Sequence, residues 1–143
     1  MAGNELDIAY QWIQATLAND TALQGYAPGG VWRAEAETNT PAPYVTITYQ
    51  PGLGRDEIAF GGVRVYSDLY FEVCGAGPAT ALQNIVNAAA RIDALLPVSQ
   101  QTAITGGVIL ASYRVQPASS DPLIDGVRWN SNGGVYRVMV KAS

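Results

Sequence analysis

The chain has 143 residues, of which 48% are hydrophobic and only 14% are charged, with a formal net charge of −4. This length suits one domain with a real core, so we predict a single domain spanning residues 1–143. The chain has eight basic and twelve acidic residues, and the basic residues form no cluster. This charge distribution argues against binding to a nucleic-acid backbone or to an anionic membrane surface.

Residue types exclude most catalytic chemistry. The chain has no histidine and a single cysteine, Cys74, so it lacks the usual bases, the commonest metal ligand and any intrachain disulfide. No secretory signal or membrane-length apolar run is visible, which favours folding in a reducing cytoplasm.

In chain order, apolar spacing predicts two helices and about four strands. The helices cover 5–17 and 79–96; the strands cover 44–49, 63–74, 108–115 and 135–140. We therefore expect an α+β fold: a two-layer sandwich whose mixed, mostly antiparallel sheet carries both helices on one face. Residues 50–62 and 117–134 are predicted to be extended loops.

Three local patterns of residues are candidates for chemical sites. The acidic pair Asp56-Glu57 and the pair Glu35 and Glu37 lie in predicted loops, where solvated charges are the simpler interpretation. The glycines of 75–78 follow a strand and precede a helix, but they lack the third glycine of a dinucleotide loop. We predict no catalytic residue, no metal site and no cofactor, and hence a protein that is not an enzyme.

The low surface charge instead favours lasting contact with other proteins. The loop 52–62 carries Ile58 and Phe60 between glycines, beside Arg55 and Asp56; its apolar pair either tucks under its own domain or inserts into a neighbour. Trp129 is either an interface anchor or part of a small core under the second loop. These five residues are the candidate subunit interface, and the second loop could become ordered when a neighbour covers it.

The series of landmarks resembles the tail terminator, or tail completion, proteins of long-tailed bacteriophages. It covers nearly the whole chain, and its clearest parts are the Pro43-Tyr44-Val45 entry to the first long strand and the closing Tyr136-Arg137-Val138 strand. The others are the amphipathic first helix, a short Val31-Trp32 segment, a strand ending at Val73 and an alanine-rich helix ending in Leu95-Leu96.

This resemblance implies a structural virion protein assembled in the host cytoplasm. It would form a homo-oligomeric ring, a hexamer, that caps the tail tube, ends tube polymerisation and joins the tail to the head or neck. Its partners would be the tail tube protein and a neck or head-completion protein, while DNA crosses the lumen without specific binding and no membrane is involved. The alternatives are a head-closure or neck adaptor protein and a small ligand-binding α+β domain.

Overall fold

A computed structural model describes residues 4–58 and 64–142. The helices are α1 (Glu5–Ala18), α2 (Thr21–Tyr26) and α3 (Leu82–Leu95), the last preceded by a short 3-10 turn at Ala79–Ala81. The strands are β1 (Val31–Arg33), β2 (Tyr44–Tyr49), β3 (Arg55–Ile58), β4 (Arg64–Pro78), β5 (Thr102–Ile104), β6 (Gly107–Ser120), β7 (Leu123–Ile124) and β8 (Val127–Ala142).

The first two helices begin at side-chain caps. The Asn4 carboxamide oxygen accepts hydrogen bonds from the backbone N–H groups of Leu6 and Asp7, and the Asp20 carboxylate caps α2 through the N–H of Leu23. Such caps satisfy amides that have no partner within the helix. None of the helices in the described part is both long and apolar enough to span a bilayer.

The eight strands form one mixed sheet in the order β1-β2-β4-β8-β6-β5, with β3 beside β4 and β7 beside β8. Only the β1–β2 pair is parallel. β4 and β8 form the central ladder, which runs from Ser67 opposite Val140 to Pro78 opposite Trp129. The sheet is therefore organised around three strands of 14 to 16 residues: β4, β6 and β8.

The core lies between one face of these strands and the helices. Phe71 and Val73 of β4 and Tyr136 and Val138 of β8 are almost fully buried in one cluster with residues of α1 and α3. Gly75 allows α3 to pack closely, because a Cβ there would lie 3.2 Å from the Cβ of Ala88.

The predicted fold class is wrong. Of the described residues, 47% lie in strands and 28% in helices, and the structure is a curled eight-stranded sheet with three helices rather than a four-stranded sandwich with two. Two of the four extra strands, β3 and β7, lie in the segments predicted to be loops, 50–62 and 117–134, and the second of these segments also holds the end of β6 and the start of β8. Backbone pairing with β4 and β8 creates these strands, and side-chain periodicity does not report such pairing.

The sheet has two distinct ends along the strand direction. The first, called the base end, is where β8 finishes at Ala142 opposite Gly107, near the start of β4. The second, called the tip end, is the connection between β7 and β8. β8 has 16 residues, so the path along this strand from one end to the other is roughly 50 Å at about 3.3 Å per residue.

Candidate assembly surfaces

In the β6–β8 hairpin, the β6 strand is largely buried in its first half and exposed in its second. Near the base end, Ile109, Val138 and Val140 are fully buried under the helices. From Tyr113 onward the residues of β6 are exposed except for the half-buried Ala118, and all of 121–128 is exposed. The outer half therefore projects from the core instead of covering it.

Residues 121–128 form the tip hairpin. Its two-residue turn, Asp125-Gly126, has φ angles of 50° and 79°, the pair of positive values that defines a type I′ connection. Beside this turn, Leu123 is 62% exposed, and Ile124 and Val127 are each 49% exposed. Three aliphatic side chains thus cluster at the end of a tightly turned arm.

Contacts within the chain hold this arm in place. The backbone N–H of Trp129 donates to the carbonyl of Pro122 at 2.8 Å, and Arg128 donates to the carbonyl of Asp121 at 2.9 Å. The Trp129 ring lies 6.1 Å from the Tyr44 ring of β2. Trp129 is therefore half-buried against its own sheet, and its predicted role as an interface anchor stays a prediction.

The β1 edge of the sheet is contacted by helix α1, whereas the β6 edge has a neighbouring strand over only part of its length. At β1, the side chain of Gln14 on α1 donates to the carbonyl of Val31 at 3.2 Å. At β6, β5 pairs with Gly107 to Ile109, and an isolated bridge joins Val98 to Ser112. Beyond this bridge, the outer side of β6 has no strand beside it in the described part of the chain.

Three of the other predicted interface residues lie on β3. Arg55, Asp56 and Ile58 belong to this strand, which pairs with the start of β4, and Ile58 is 64% exposed. Arg55 forms an ion pair with Glu57 at 2.8 Å, and Asp56 accepts a hydrogen bond from Ser67 at 2.6 Å. Phe60 lies outside the described residues. Of the apolar pair, Ile58 alone is therefore located, and it lies at the base end, opposite the tip hairpin.

A buried ion pair ties the long strands together. Arg137 of β8 donates two hydrogen bonds to Asp68 of β4, at 2.7 and 2.5 Å, and a third, at 2.5 Å, to the Tyr113 hydroxyl of β6. The Asp68 side chain is only 4% exposed. The hydrogen bond to Asp68 is the largest influence raising the pKa of Arg137, so the guanidinium stays charged and the three strands stay linked.

A groove at the base end lies between α1 and the β5–β6 turn, and we call it the α1–β5 groove. Its volume is about 330 Å³. It is lined by Ile8, Gln11, Trp12, Ala15, Thr16, Ile104 and Thr105. The lining has no charged side chain, while Gln11 and Ala15 are exposed at its mouth. Such a groove suits aliphatic side chains better than a charged ligand.

Two buried titratable groups, Cys74 and Tyr136, have raised pKa values. Burial, together with the neighbouring Glu72, raises the pKa of the Cys74 thiol to about 12, which disfavours the nucleophilic thiolate. Burial and Asp93 likewise raise the pKa of Tyr136, whose hydroxyl donates to Asp93 at 3.1 Å. Within residues 4–58 and 64–142, no three Cys, Asp or Glu side chains come together in a way that could hold a metal ion.

The sequence analysis predicted an extended loop over 117–134 and did not predict the tip hairpin within it. The Asp125-Gly126 dipeptide follows Leu123 and Ile124 and precedes Val127. An Asp-Gly pair between apolar residues is a strong short-range hairpin signal, and it could have located the arm.

Comparison with known proteins gives a likeness of fold. No protein-family model matches the sequence, and no curated protein matches it. Nine chains of solved structures match. One is a chain in the structure of the virion of a native gene transfer agent particle: the TM-score is 0.70, the sequence identity is 15%, and the match covers 91% of this chain and 92% of that one. Two chains of such low identity thus share one fold from end to end.

Proposed function

We propose that this protein is a structural component of a phage-like virion and has no enzymatic activity. The observation that carries the proposal is the shared fold, over 91% of the chain, with a chain of a gene transfer agent virion. The lack of histidine and of a metal-ligand cluster in the described residues, together with the raised pKa of Cys74, supports a structural role.

Within such a particle, we propose a hexameric ring that caps the tail tube, stops its growth and joins it to the neck. The order of the sequence landmarks supports this position, and so does the presence of apolar contact residues at both ends of the sheet. A ring between tube and neck needs a surface for each partner, and the tip hairpin and the β3 region lie at opposite ends. The net charge of −4 on each subunit suits a conduit that DNA crosses without being held.

Two measurements test the ring and its place. Light scattering over a concentration series should give a closed species near 90 kDa, which is six subunits of 15.1 kDa. Electron microscopy should then show the protein at the ends of purified tail tubes and shorter tubes when it is added during their assembly. Binding to capsid connectors but not to tubes would instead identify a neck adaptor, and binding to neither would contradict the virion role.

A further inference from the structure

Among the described residues, the longest strand edge without a neighbouring strand is the outer side of β6. The strands that end the sheet order, β1 and β5, have three residues each, whereas β6 has 14. β5 covers only Gly107 to Ile109 of this edge, and Val98 forms a single bridge with Ser112. The stretch 113–120 follows this bridge, and we call it the open edge. Open edges present unpaired backbone N–H and C=O groups, which can pair with another chain.

The open edge is accessible to such a chain. Apart from the half-buried Ala118, all of its residues are exposed. Tyr113 is 40% exposed and Val115 is 42% exposed, and both residue types favour strands. Neither burial nor composition therefore prevents a strand of a second molecule from pairing along the first part of this edge.

A β-bulge interrupts the open edge. The ladder to β8 shifts between Arg114, which lies opposite Tyr136, and Gln116, which lies opposite Val135. Val115 is therefore an extra residue without a counterpart on β8. A bulge bends its strand and increases the local twist. A regular strand that paired with β6 before the bulge would lose its register there.

Pro117 lies directly after the bulge and is exposed. The ladder to β8 continues from Gln116 to Ser120 without a further shift, and Pro117 lies opposite Gly134. Proline has no N–H, and a strand accepts it where its nitrogen faces away from the ladder, so this nitrogen lies on the outer side of β6. Only residues 118–120 of the strand follow, which is shorter than the usual strand of about five or six residues.

We propose that Pro117, together with the bulge before it, keeps the open edge of β6 from pairing with a strand of another molecule. The proline removes one donor, and its ring occupies the space that an incoming carbonyl needs. The bulge ends the register on the other side of the proline. At this edge, copies of the chain then associate through side chains and not through a continuous intermolecular sheet. This protection belongs to the isolated chain and does not depend on the proposed virion role.

Restoring the missing donor tests the role of the proline. Pro117→Thr adds an N–H and a β-branched side chain, so we expect self-association about fivefold stronger, the effect of one added backbone hydrogen bond. Sedimentation velocity over a concentration series measures it. Pro51→Thr is the matched control, because Pro51 is an exposed proline in the turn after β2, and β4 and β8 lie between β2 and β6. An unchanged Pro117→Thr protein, or an equal increase in both variants, would contradict the proposal.

Hydrogen–deuterium exchange tests the same edge without relying on a variant. In the wild-type protein, the amides of 113–120 should exchange at the same rate at low concentration and at the highest soluble concentration. In associated Pro117→Thr protein, the same segment should exchange more slowly, because its outward N–H groups become paired. Slower exchange of this segment when the wild-type protein associates would show that the edge pairs, and it would overturn the proposal. Association of Pro117→Thr without slower exchange there would overturn it as well.

These tests fail independently of the proposed function. If the wild-type edge pairs on association but the protein still binds tail tubes, the virion role stands and the protected edge is wrong. If the edge stays unpaired but the protein binds neither tubes nor connectors, the protected edge stands and the virion role is wrong.

Discussion

The two halves of the β6–β8 hairpin use the same two strands but have opposite surroundings. In the base half, helices cover one face and β4 continues the ladder, so Ile109, Val138 and Val140 are buried. In the tip half, β4 still pairs with β8 as far as Trp129, but the end of β6 is exposed, and so are Leu123, Ile124 and Val127 beyond it. The comparison teaches that hydrogen-bonded pairing alone does not decide what a strand does. Because its side chains are buried, the base half contributes to the stability of the fold. The exposed side chains of the tip half are free to contact another molecule.

The strongest test of this comparison replaces one arginine with methionine in each half of the hairpin. Arg137→Met at the base leaves the Asp68 carboxylate, whose side chain is 4% exposed, without its partner. We expect a loss of about 4 kcal/mol in the free energy of unfolding, because removing one member of a buried pair strands the other charge. Urea denaturation measures it. Arg128→Met at the tip removes only a contact to a backbone carbonyl and should change stability by less than about 0.5 kcal/mol.

A second test shortens one isoleucine in each half. Ile109→Ala leaves a cavity in the core and should cost about 3 kcal/mol of unfolding free energy. Ile124→Ala, at 49% exposure, should leave the urea midpoint nearly unchanged while weakening self-association. Comparable losses of stability at both positions would show that the tip is part of the cooperative core, contrary to the comparison.

A third test adds a methyl group to one buried glycine of β8 and to one glycine of the exposed tip turn. At Gly133 a Cβ would lie 2.0 Å from the carbonyl oxygen of Val73, so the β4–β8 ladder must shift. Gly133→Ala should therefore lower thermal and urea stability by about 2 kcal/mol. At Gly126 there is open space, but its φ of 79° disfavours alanine, and the expected cost is about 1 kcal/mol. A larger cost at Gly126 would mean that the turn determines hairpin formation more than the ladder does.

The smallest expected effect concerns pH and one aspartate from each environment. The Asp20 carboxylate accepts hydrogen bonds from Arg91 at 2.8 and 2.7 Å, and this pairing lowers the pKa of Asp20 to about 2. A carboxyl whose pKa is lower in the folded protein stabilises the fold above the unfolded value near 4 and loses that effect as the pH falls through about 2.

Asp20→Asn keeps a good helix cap, so it should remove only this pH-dependent part, about 1 kcal/mol because the pair is partly exposed. Urea unfolding should show a smaller difference in unfolding free energy between wild type and variant at pH 2.5 than at pH 7. Asp125→Asn at the exposed tip turn should show no such difference at either pH. An Asp20→Asn deficit that persists unchanged at pH 2.5 would rule out the ion pair as its cause.

For the fold, the sequence predicted elements whose periodicity reflects burial. Helices 5–17 and 79–96 correspond to α1 and to the 3-10 turn with α3, and strand 44–49 is β2. Prediction failed at the outer end of the hairpin: 119–128 is exposed throughout and contains Ser, Asp, Pro and Gly, a composition typical of a loop. For the candidate interface, Ile58 lies exposed on β3, whereas Leu123, Ile124 and Val127 were not identified.

By itself, then, the sequence determined two of the three helices, the buried parts of the long strands and the absence of histidine and disulfide chemistry, because these follow from local periodicity and composition. Tertiary structure decided the sheet order, the length of the β6–β8 hairpin and the ion pair between Asp68 and Arg137, which are 69 residues apart in the chain. It also decided that an apolar tip and an apolar groove lie at opposite ends of the molecule. Those features depend on which backbones pair, and pairing between distant strands leaves no local pattern in the sequence.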